Sequence, residues 1–378
     1  MEGNIYIFGA GKNGEALLSE LQEKKVTFID NDSKKQNSTI CGVECINIDE
    51  AIRRGAQNSL VLISANKSKE IEEQLKNLKF YNVITVSKWL RNKKYFEPEV
   101  MYETDYKKAV PFNHYESPYP NIVEIHKKEK ELFDKDKEVL DIDFNIDGQL
   151  SILRKMEAIG PMEWPYESGS DNFRYHSSND WFAKGCADAL YYMIRIVKPK
   201  KIIEVGSGYS TAVMLDTNEK LFENTIEITA IEPFPDRLRK LLRPTDNINI
   251  LESKLEDVPI EFFQMLEEND ILFIDSSHVS KTNSDVNYLL FEIFPRLKGG
   301  VYIHFHDMFY PFIYPREWVY EGRAYNEMYL LRAFLMNNKE YSVQLFGDML
   351  SHKCGNQIAQ KLKGCGNGSL WIKKRRGI

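Results

Sequence analysis

Two stretches of the chain alternate short apolar runs with helical patterns of apolar residues. In the first, strands are predicted at NIYIFGAG, VTFIDND, SLVLISA and VITVSKWL, and helices at GEALLSELQEK and EIEEQLKNLKF. Continuous apolar strands between amphipathic helices are typical of a small parallel sheet covered on both faces. We assign this Rossmann-like α/β domain to residues 1–90.

The second stretch predicts a larger α/β domain at residues 136–378. The helices GQLSILRKM and WFAKGCADALYYMIRIV precede successive strands at KIIEVGSG, EITAIEP, INILES, DILFIDSSH and GGVYIHFHD. This order predicts a doubly wound sheet with its functional loops at the carboxyl ends of the strands. The aromatic, charged and proline-containing residues 91–135 predict a connector with one polar helix.

Composition narrows the class of protein. Hydrophobic residues make up 43% of the chain, and the formal charge is -6. We therefore expect a folded protein without nucleic-acid partners. No apolar run approaches the roughly 18 residues of a membrane span, and the first residues lack the pattern of a signal peptide. Five scattered cysteines fit reduced thiols. These features predict a cytoplasmic protein that does not insert into membranes.

The glycine loop IIEVGSGYST follows the first strand of the second domain. Glu204 is followed by Gly206, Ser207 and Gly208, and glycines allow a ligand to approach the backbone. The loop lacks the Lys-Ser/Thr pair of a Walker motif.

This E-x-G-x-G pattern resembles the first motif of class I S-adenosylmethionine-dependent methyltransferases. The resemblance implies that the loop passes under the methionine portion of S-adenosylmethionine, where a carboxylate suits an ammonium and a sulfonium. Glu232 ends the next strand, where it can accept hydrogen bonds from both ribose hydroxyls. The family also places an adenine contact near Leu255 to Asp257, and Asp275 at the reactive end of the cofactor.

A narrower resemblance covers roughly residues 115–350. The segments SPYPNIVEIHKKEKELFD, DIDFNIDGQLSILRKM, RYHSSNDWFAKGCADALYYMIR and HFHDMFYPFIYPREWVYEGRAYNEMYLLRAFL are similar to a bacterial methyltransferase family. Its members are often encoded with cell-surface carbohydrate genes. The resemblance implies O-methylation, or less often N-methylation, of a sugar or nucleotide-linked sugar.

Two catalytic arrangements fit the acids and histidines at the strand ends. His306 or His278 could act as general base, oriented by Asp275 or Asp307. Alternatively, Asp275 and Asp307, with His306, could bind a divalent metal that lowers the pKa of the hydroxyl. We favour the metal-free base, because the histidine-rich set differs from an all-oxygen magnesium site. His304 is interpreted as a core histidine.

Acceptor contacts are expected from segments on either side of the sheet strands. Aromatic faces with a few amides and charges suit a sugar or another polar ring. The candidates are Tyr175, His176, Asn179, Arg323, Asn326 and Glu327.

The first domain carries its own glycine loop. Gly9, Gly11 and Gly14 have G-x-G-x-x-G spacing, and Asp30 follows about 20 residues later. A full dinucleotide fold needs two mononucleotide halves, and one is evident. FIDND and CGVECI resemble the N-terminal domain of sugar O- and N-acyltransferases, which implies a nucleotide or nucleotide-sugar site. A structural or dimerising domain and a working NAD domain remain alternatives.

The leading hypothesis is an S-adenosylmethionine-dependent methyltransferase acting on a small sugar or nucleotide-sugar. The rivals are an NAD-dependent oxidoreductase that uses the first glycine loop, and a non-catalytic nucleotide-binding protein. The additional α/β domain makes homo-oligomerisation an open expectation.

Overall fold

The computed structural model describes residues 4–21, 25–65, 68–80, 82–86, 114–170, 172–358 and 360–376. The chain divides into two compact units, Met1–Ala109 and Val110–Ile378. The first part of the predicted connector, 91–113, lies outside the described residues. Within the described ranges, none of the helices combines the length and hydropathy that a bilayer-spanning segment requires.

The first unit contains a six-stranded sheet of order β3-β4-β2-β1-β5-β6 in its described part. Its strands are β1 Ile5–Phe8, β2 Val26–Ile29, β3 Ser38–Ile40, β4 Val43–Ile46, β5 Leu60–Ile63 and β6 Asn82–Thr85. The pairs around β1 are parallel, whereas β3 and β4 form an antiparallel hairpin that the sequence pattern did not predict. The hairpin strands have only three and four residues, which is too short to show an apolar period.

Both faces of this sheet are covered, as predicted. All four residues of β1 are buried. Ile5 and Ile7 pack into one apolar cluster, whereas Tyr6 and Phe8 pack into another. Since strand side chains alternate between faces, each cluster lies on its own side of the sheet. The helices of the unit are α1 Lys12–Leu18, α2 Ile48–Arg53 and α3 Ser68–Asn77.

The second unit contains a seven-stranded sheet of order β12-β13-β11-β10-β7-β8-β9 among its described residues. Its strands are β7 Lys201–Val205, β8 Glu227–Ile231, β9 Asn249–Leu251, β10 Ile271–Ile274, β11 Tyr302–Met308, β12 Tyr341–Phe346 and β13 Gly368–Lys374. Strands β7 to β11 are parallel, and β13 runs antiparallel to both β11 and β12. This is the doubly wound sheet expected of a class I methyltransferase fold.

Helices flank the second sheet. They are α4 Ile122–Lys127, α5 Glu129–Leu132, α6 Ile146–Ala158, α7 Lys184–Val197, α8 Tyr209–Phe222, α9 Asp236–Leu241, α10 Asp285–Asn287, α11 Phe294–Arg296, α12 Arg316–Tyr320, α13 Glu327–Leu335 and α14 Gly347–Lys353. A π-helical turn, Tyr288–Ile293, joins α10 to α11.

The strand order places the loops after β7 and β10 side by side. Val205 pairs with Ile274 at the carboxyl ends of these neighbouring strands. The chain order reverses here, which is where ligands bind in open α/β sheets. Gly206 and Asp275 are therefore the first residues of two adjacent loops at the expected crevice.

A buried ion cluster fixes the segment before the sheet to α8. The Arg174 guanidinium donates to Asp216 Oδ1 at 2.8 Å and pairs with Glu219 at 2.7 Å and with Asp246. Asp216 also accepts the backbone N–H groups of Arg174 and Tyr175. Because α8 begins at the second glycine loop, this cluster holds the segment beside that loop.

Candidate active site

Gly206 brings the glycine loop into contact with the loop after β10. Its φ is +80°, and a Cβ built on it would lie 2.2 Å from the carbonyl oxygen of Asp275. A side chain at this position would force the two strand ends apart, and the positive φ disfavours other residues as well. The loop predicted to bind cofactor therefore lies against the acid predicted to face its reactive end.

Glu204 does not face this crevice. Its side chain is fully buried, and its two oxygens accept hydrogen bonds from Ser210 Oγ and Thr211 Oγ1, each at 2.5 Å. The prediction that its carboxylate meets the ligand directly was wrong, because the strand turns this side chain under the loop. Glu204 instead anchors the first turn of α8.

The burial of Glu204 predicts a dependence of stability on pH. Burial raises the pKa of its carboxyl to about 8, although Ser210 and Thr211 lower it. The folded chain thus keeps a proton on Glu204 that the unfolded chain loses near pH 4.5. The contribution of Glu204 to the free energy of unfolding is therefore fully present below pH 4.5 and is lost as pH rises through 8. Relative to Glu204→Gln, the wild type should lose about 1 kcal/mol of unfolding free energy between about pH 6 and pH 7. Urea unfolding of both proteins at pH 6 and pH 7 measures this loss. The same difference in unfolding free energy between wild type and Glu204→Gln at both pH values would contradict a raised pKa of Glu204.

Glu232 lies beside the glycine loop, half-buried. Its Oε2 accepts the backbone N–H of Ser207 at 3.2 Å, and its Oε1 accepts that of Phe234 at 2.8 Å. Each oxygen keeps a further lone pair, so a fixed carboxylate is available for hydroxyl donors. Ser207 Oγ is buried without a hydrogen-bond partner among the described residues. A pre-positioned carboxylate and an unpaired hydroxyl next to a tight glycine turn fit a polar cofactor such as S-adenosylmethionine.

The segment predicted to contact adenine forms the short 3₁₀ turn Leu255–Asp257. The Leu255 side chain is buried and that of Asp257 is exposed. Their roles toward a ligand remain predictions.

An imidazole surrounded by three carboxylates lies next to the glycine loop. His278 Nδ1 is 2.8 Å from Glu327 Oε2, and its Nε2 is 3.6 Å from both Asp275 Oδ1 and Asp307 Oδ2. Ser276 Oγ donates to the other Glu327 oxygen at 2.8 Å. We call His278, Asp275, Asp307 and Glu327 the acid–imidazole cluster.

Glu327 was expected to contact the acceptor, and the structure contradicts this expectation. Its side chain is 1% exposed, and both oxygens are occupied by His278 and Ser276. Glu327 therefore fixes the orientation of the imidazole. The exposed members of the cluster are Asp275 and Asp307, whose side chains are 35% and 24% accessible.

Electrostatics favour the ionised forms of His278 and Asp275. Burial lowers the pKa of His278, but hydrogen bonds to Asp275 and Glu327 outweigh it and raise the pKa well above its usual value. Burial raises the pKa of Asp275, yet the charges of His306 and His278 bring it down to about 2. At neutral pH His278 is therefore an imidazolium, which cannot accept a proton in the resting site. Its predicted role as general base does not fit this state.

Backbone strain aims the cluster into the crevice. His278 and Asp307 have φ values of +61° and +59°, which are uncommon outside glycine and concentrate at functional sites. The pairing of β11 with β13 shifts between His306 and Met308. Such a bulge re-aims side chains at the end of a strand, and here His306 Nε2 lies 3.5 Å from Asp307 Oδ1.

His304 is a core residue, as interpreted from the sequence. Its ring stacks on Phe273 with centroids 3.9 Å apart, and its Nε2 lies 3.1 Å from Ser369 Oγ. Burial holds its pKa well below the usual value, so the imidazole is neutral.

Three predicted acceptor residues form hydrogen bonds within the chain. Tyr175 has no exposed surface, and its hydroxyl donates to the Phe182 carbonyl at 2.9 Å. Asn179 Oδ1 accepts the N–H groups of Trp181 and Phe182, while its Nδ2 donates to the His176 carbonyl.

Asn326 similarly clamps the loop that carries His278. Its Oδ1 accepts the Ser280 N–H at 2.6 Å, its Nδ2 donates to the Ser280 carbonyl, and its own N–H donates to the His278 carbonyl. Tyr175 is too deeply buried to contact an acceptor, whereas the substrate contacts of Asn179 and Asn326 remain predictions.

The remaining two candidates are accessible. His176 is half-buried and packs edge-on against Tyr209, the first residue of α8. Arg323 is exposed and lies over the Trp318 ring, 4.3 Å from its centroid. Sequence reasoning overlooked Tyr325, whose ring lies 5.0 Å from that of His278; its position between Arg323 and Asn326 was the available signal.

The glycine loop of the first unit is well formed. Asp30 Oδ2 accepts the Ala10 N–H at 2.8 Å and lies 3.2 Å from Lys35 Nζ. A Cβ on Gly14 would meet the Gly9 carbonyl oxygen at 2.2 Å, while a Cβ on Gly11 would meet Lys35 Nζ at 4.0 Å. A ligand role for this loop remains a prediction.

No group of three or more His, Cys, Asp or Glu side chains in the described part of the chain has an arrangement that could hold a metal ion. The metal alternative for Asp275 and Asp307 therefore gains no support.

Comparisons with known proteins bear on this site. Residues 203–308 match the family Methyltransf_24, a methyltransferase domain. An uncharacterized protein from Archaeoglobus fulgidus is 36% identical over 191 residues, which cover 47% of this chain and 84% of the relative.

Two solved structures also resemble parts of the chain. UDP-D-quinovosamine 4-dehydrogenase from Vibrio fischeri is 30% identical over 25% of this chain and 87% of its own, with a TM-score of 0.20. The plantazolicin methyltransferase BpumL in complex with SAH is 14% identical over 67% of this chain and 100% of its own, with a TM-score of 0.34. At these TM-scores neither structure bears on function.

The matched domain spans β7 to β11, including the glycine loop, Glu232, Asp275 and Asp307. The matched domain and the strand order of the second sheet both include the crevice between the loops after β7 and β10. The chain therefore belongs to the same family as the Archaeoglobus fulgidus protein, and it is an S-adenosylmethionine-dependent methyltransferase with a class I fold.

Proposed function

We propose that the protein transfers a methyl group to a hydroxyl of a sugar or nucleotide-linked sugar. The observation that carries this proposal is the acid–imidazole cluster beside the second glycine loop. Methyl transfer to a hydroxyl requires removal of a proton from a group of high pKa, together with precise alignment of the reactants. The cluster offers two accessible carboxylates held by an imidazolium.

The charges beside the second glycine loop suit S-adenosylmethionine. We assign Gly206, Ser207 and Gly208 to its amino acid portion and Glu232 to its ribose. When bound, it supplies an electrophilic methyl group on a sulfonium. The carboxylate of Asp275, ionised because its pKa is about 2, complements that positive charge.

Asp307 is the proposed acceptor of the hydroxyl proton. Asp275 is a weak base at its depressed pKa, and His278 already carries a proton. Asp307 is partly exposed and lies 3.5 Å from His306 Nε2, and it takes the hydroxyl proton as the acceptor oxygen forms its bond to the methyl carbon. In this scheme His278 and Glu327 are positioning residues that hold the two aspartates apart and oriented.

The acceptor side of the crevice is aromatic. The ring of Tyr325 lies beside His278, and Trp318 meets Tyr325 edge-on at 5.9 Å. Arg323 covers Trp318 and donates to Glu321. Flat apolar faces with a cation at the margin suit a sugar ring with polar substituents.

We further propose that the first unit binds the nucleotide portion of a nucleotide-sugar. The Ala10 N–H, the Lys35 ammonium and the open position at Gly11 offer donors for phosphate oxygens. Asp30 offers an acid for a ribose hydroxyl.

Replacement of Asp30 tests this docking role. We expect Asp30→Asn to weaken the binding of UDP-glucose, used as probe, by about tenfold, because a charged hydrogen-bond acceptor becomes neutral. Calorimetric titration measures the change. Asp32→Asn, an exposed acid two residues away, is the control. Equal affinities for Asp30→Asn and the wild type would contradict the docking role.

Product analysis tests the acceptor class. The whole chain is incubated with S-adenosylmethionine and a panel of free sugars, nucleotide-sugars and aromatic amines, and products are identified by mass spectrometry. We expect O-methylated sugar products. Methylation confined to the amines would overturn the proposed acceptor.

A further inference from the structure

An exposed tryptophan and an arginine from two different segments stack above the start of α8. Trp181 lies in the loop before α7, and Arg237 lies in the first turn of α9, five residues after Glu232. The Arg237 guanidinium carbon is 3.7 Å from the centroid of the Trp181 ring. This separation is well within the range of a cation–π contact.

The same arginine lies against the second glycine loop. A Cβ built on Gly208 would meet Arg237 Cδ at 3.1 Å and Nη1 at 3.7 Å. The absence of a side chain at Gly208 therefore allows the aliphatic part of the Arg237 side chain to pack against the loop. Arg237 brings a guanidinium to the loop that is proposed to hold the amino acid portion of the cofactor.

The segment that carries Trp181 is tied to the helix that follows the glycine loop. The Trp181 N–H donates to Asn179 Oδ1 at 3.0 Å, and the segment ahead of it is tied to α8 by the Asp216 carboxylate. Since α8 begins directly after Gly208, this tie keeps the Trp181 segment near the loop. A guanidinium stacked on an aromatic ring is suited to recognise a planar anion.

The charges of the crevice bear on which group of the cofactor a guanidinium could bind. Glu232 and Asp275 are acidic and suit the hydroxyl, ammonium and sulfonium groups of S-adenosylmethionine. They would repel its carboxylate. We propose that Arg237, held by stacking on Trp181, binds the carboxylate at the amino acid end of the cofactor. This proposal rests on the cofactor position given under the proposed function.

Binding of two ligands by one variant tests the assignment without any measurement of turnover. S-adenosylhomocysteine has the amino acid carboxylate, whereas 5′-methylthioadenosine has the nucleoside and sulfur but no carboxylate. We expect Arg237→Gln to weaken S-adenosylhomocysteine binding roughly 10- to 100-fold. Binding of 5′-methylthioadenosine should not change.

Two further variants sharpen the comparison. Lys240→Gln removes one positive charge from an exposed position of the same helix, and we expect it to leave both affinities unchanged. Trp181→Leu removes the stacking partner and keeps the guanidinium, so a smaller and equally selective loss for S-adenosylhomocysteine is expected. Thermal unfolding of each variant verifies that the fold is retained.

The proposal is overturned if Arg237→Gln binds S-adenosylhomocysteine as tightly as the wild type, or if it weakens both ligands equally. It is also overturned if Lys240→Gln gives the same loss as Arg237→Gln, since the effect would then be one of overall charge. A wild-type chain that binds neither ligand would reject the cofactor position itself, and with it this assignment. That result concerns the wild type and is therefore distinguishable from the outcomes that concern the Arg237→Gln and Lys240→Gln variants.

Discussion

Replacement of Asp307 by asparagine is expected to lower the turnover of the methyl transfer by roughly 100- to 10,000-fold, the range in which general bases contribute. Asparagine keeps the shape of the side chain but cannot accept a proton from the hydroxyl. Asparagine also tolerates the left-handed backbone conformation of residue 307. The affinity for S-adenosylhomocysteine should stay near that of the wild type, because the loss lies in the reaction step.

Matched variants separate the roles within the acid–imidazole cluster. Glu327→Gln keeps a hydrogen-bond acceptor for His278, and we expect a smaller loss of turnover than for Asp307→Asn. The pH profile of Glu327→Gln should also shift, since the imidazolium loses one of its neighbouring charges. Full turnover of Asp307→Asn, measured with an acceptor that the wild type methylates, would show that the proton leaves by another route.

The second large effect concerns stability. We expect Arg174→Leu to lower the free energy of unfolding by about 3–5 kcal/mol, because it leaves buried carboxylates without their cation. The side chains of Asp216 and Asp246 are 0% and 4% exposed. Burial raises the pKa of Asp216 even with Arg174 beside it, so that carboxyl depends strongly on its partner. Chemical unfolding at neutral pH measures the change.

An exposed arginine provides the control for Arg174. Arg239 pairs with Glu252 on the surface, where its side chain is 51% exposed. Surface pairs contribute about 0–1 kcal/mol, so Arg239→Leu should change stability little. If Arg174→Leu were no more destabilising than Arg239→Leu, the buried ion cluster would not be what holds the pre-sheet segment to α8.

The pattern of apolar residues predicted the strands and the carboxyl ends of the strands, where the site lies. Buried parallel strands have continuous apolar runs, and both sheets follow this pattern. The acids at the strand ends, Glu232 and Asp275, could be located because they directly follow such runs. The hairpin β3–β4 was missed because strands of three and four residues are too short to show a period.

The orientation of individual side chains could not be predicted in this way. Glu204 and Glu327 were both expected at the ligand surface, and both are buried. Glu327 meets His278 across 49 residues of sequence, a contact that no local pattern encodes. The bulge that brings His306 and Asp307 together breaks the two-residue alternation on which strand predictions depend.

The most direct test of the central claim is calorimetric titration of the whole chain with S-adenosylhomocysteine and, separately, with NADH. The cofactor position beside Gly206 and Gly208 predicts that S-adenosylhomocysteine binds with a stoichiometry of one. It also predicts that Glu232→Ala weakens this binding strongly, while Asp30→Ala leaves it unchanged. Binding of NADH that is lost in Asp30→Ala, without binding of S-adenosylhomocysteine, would contradict the claim.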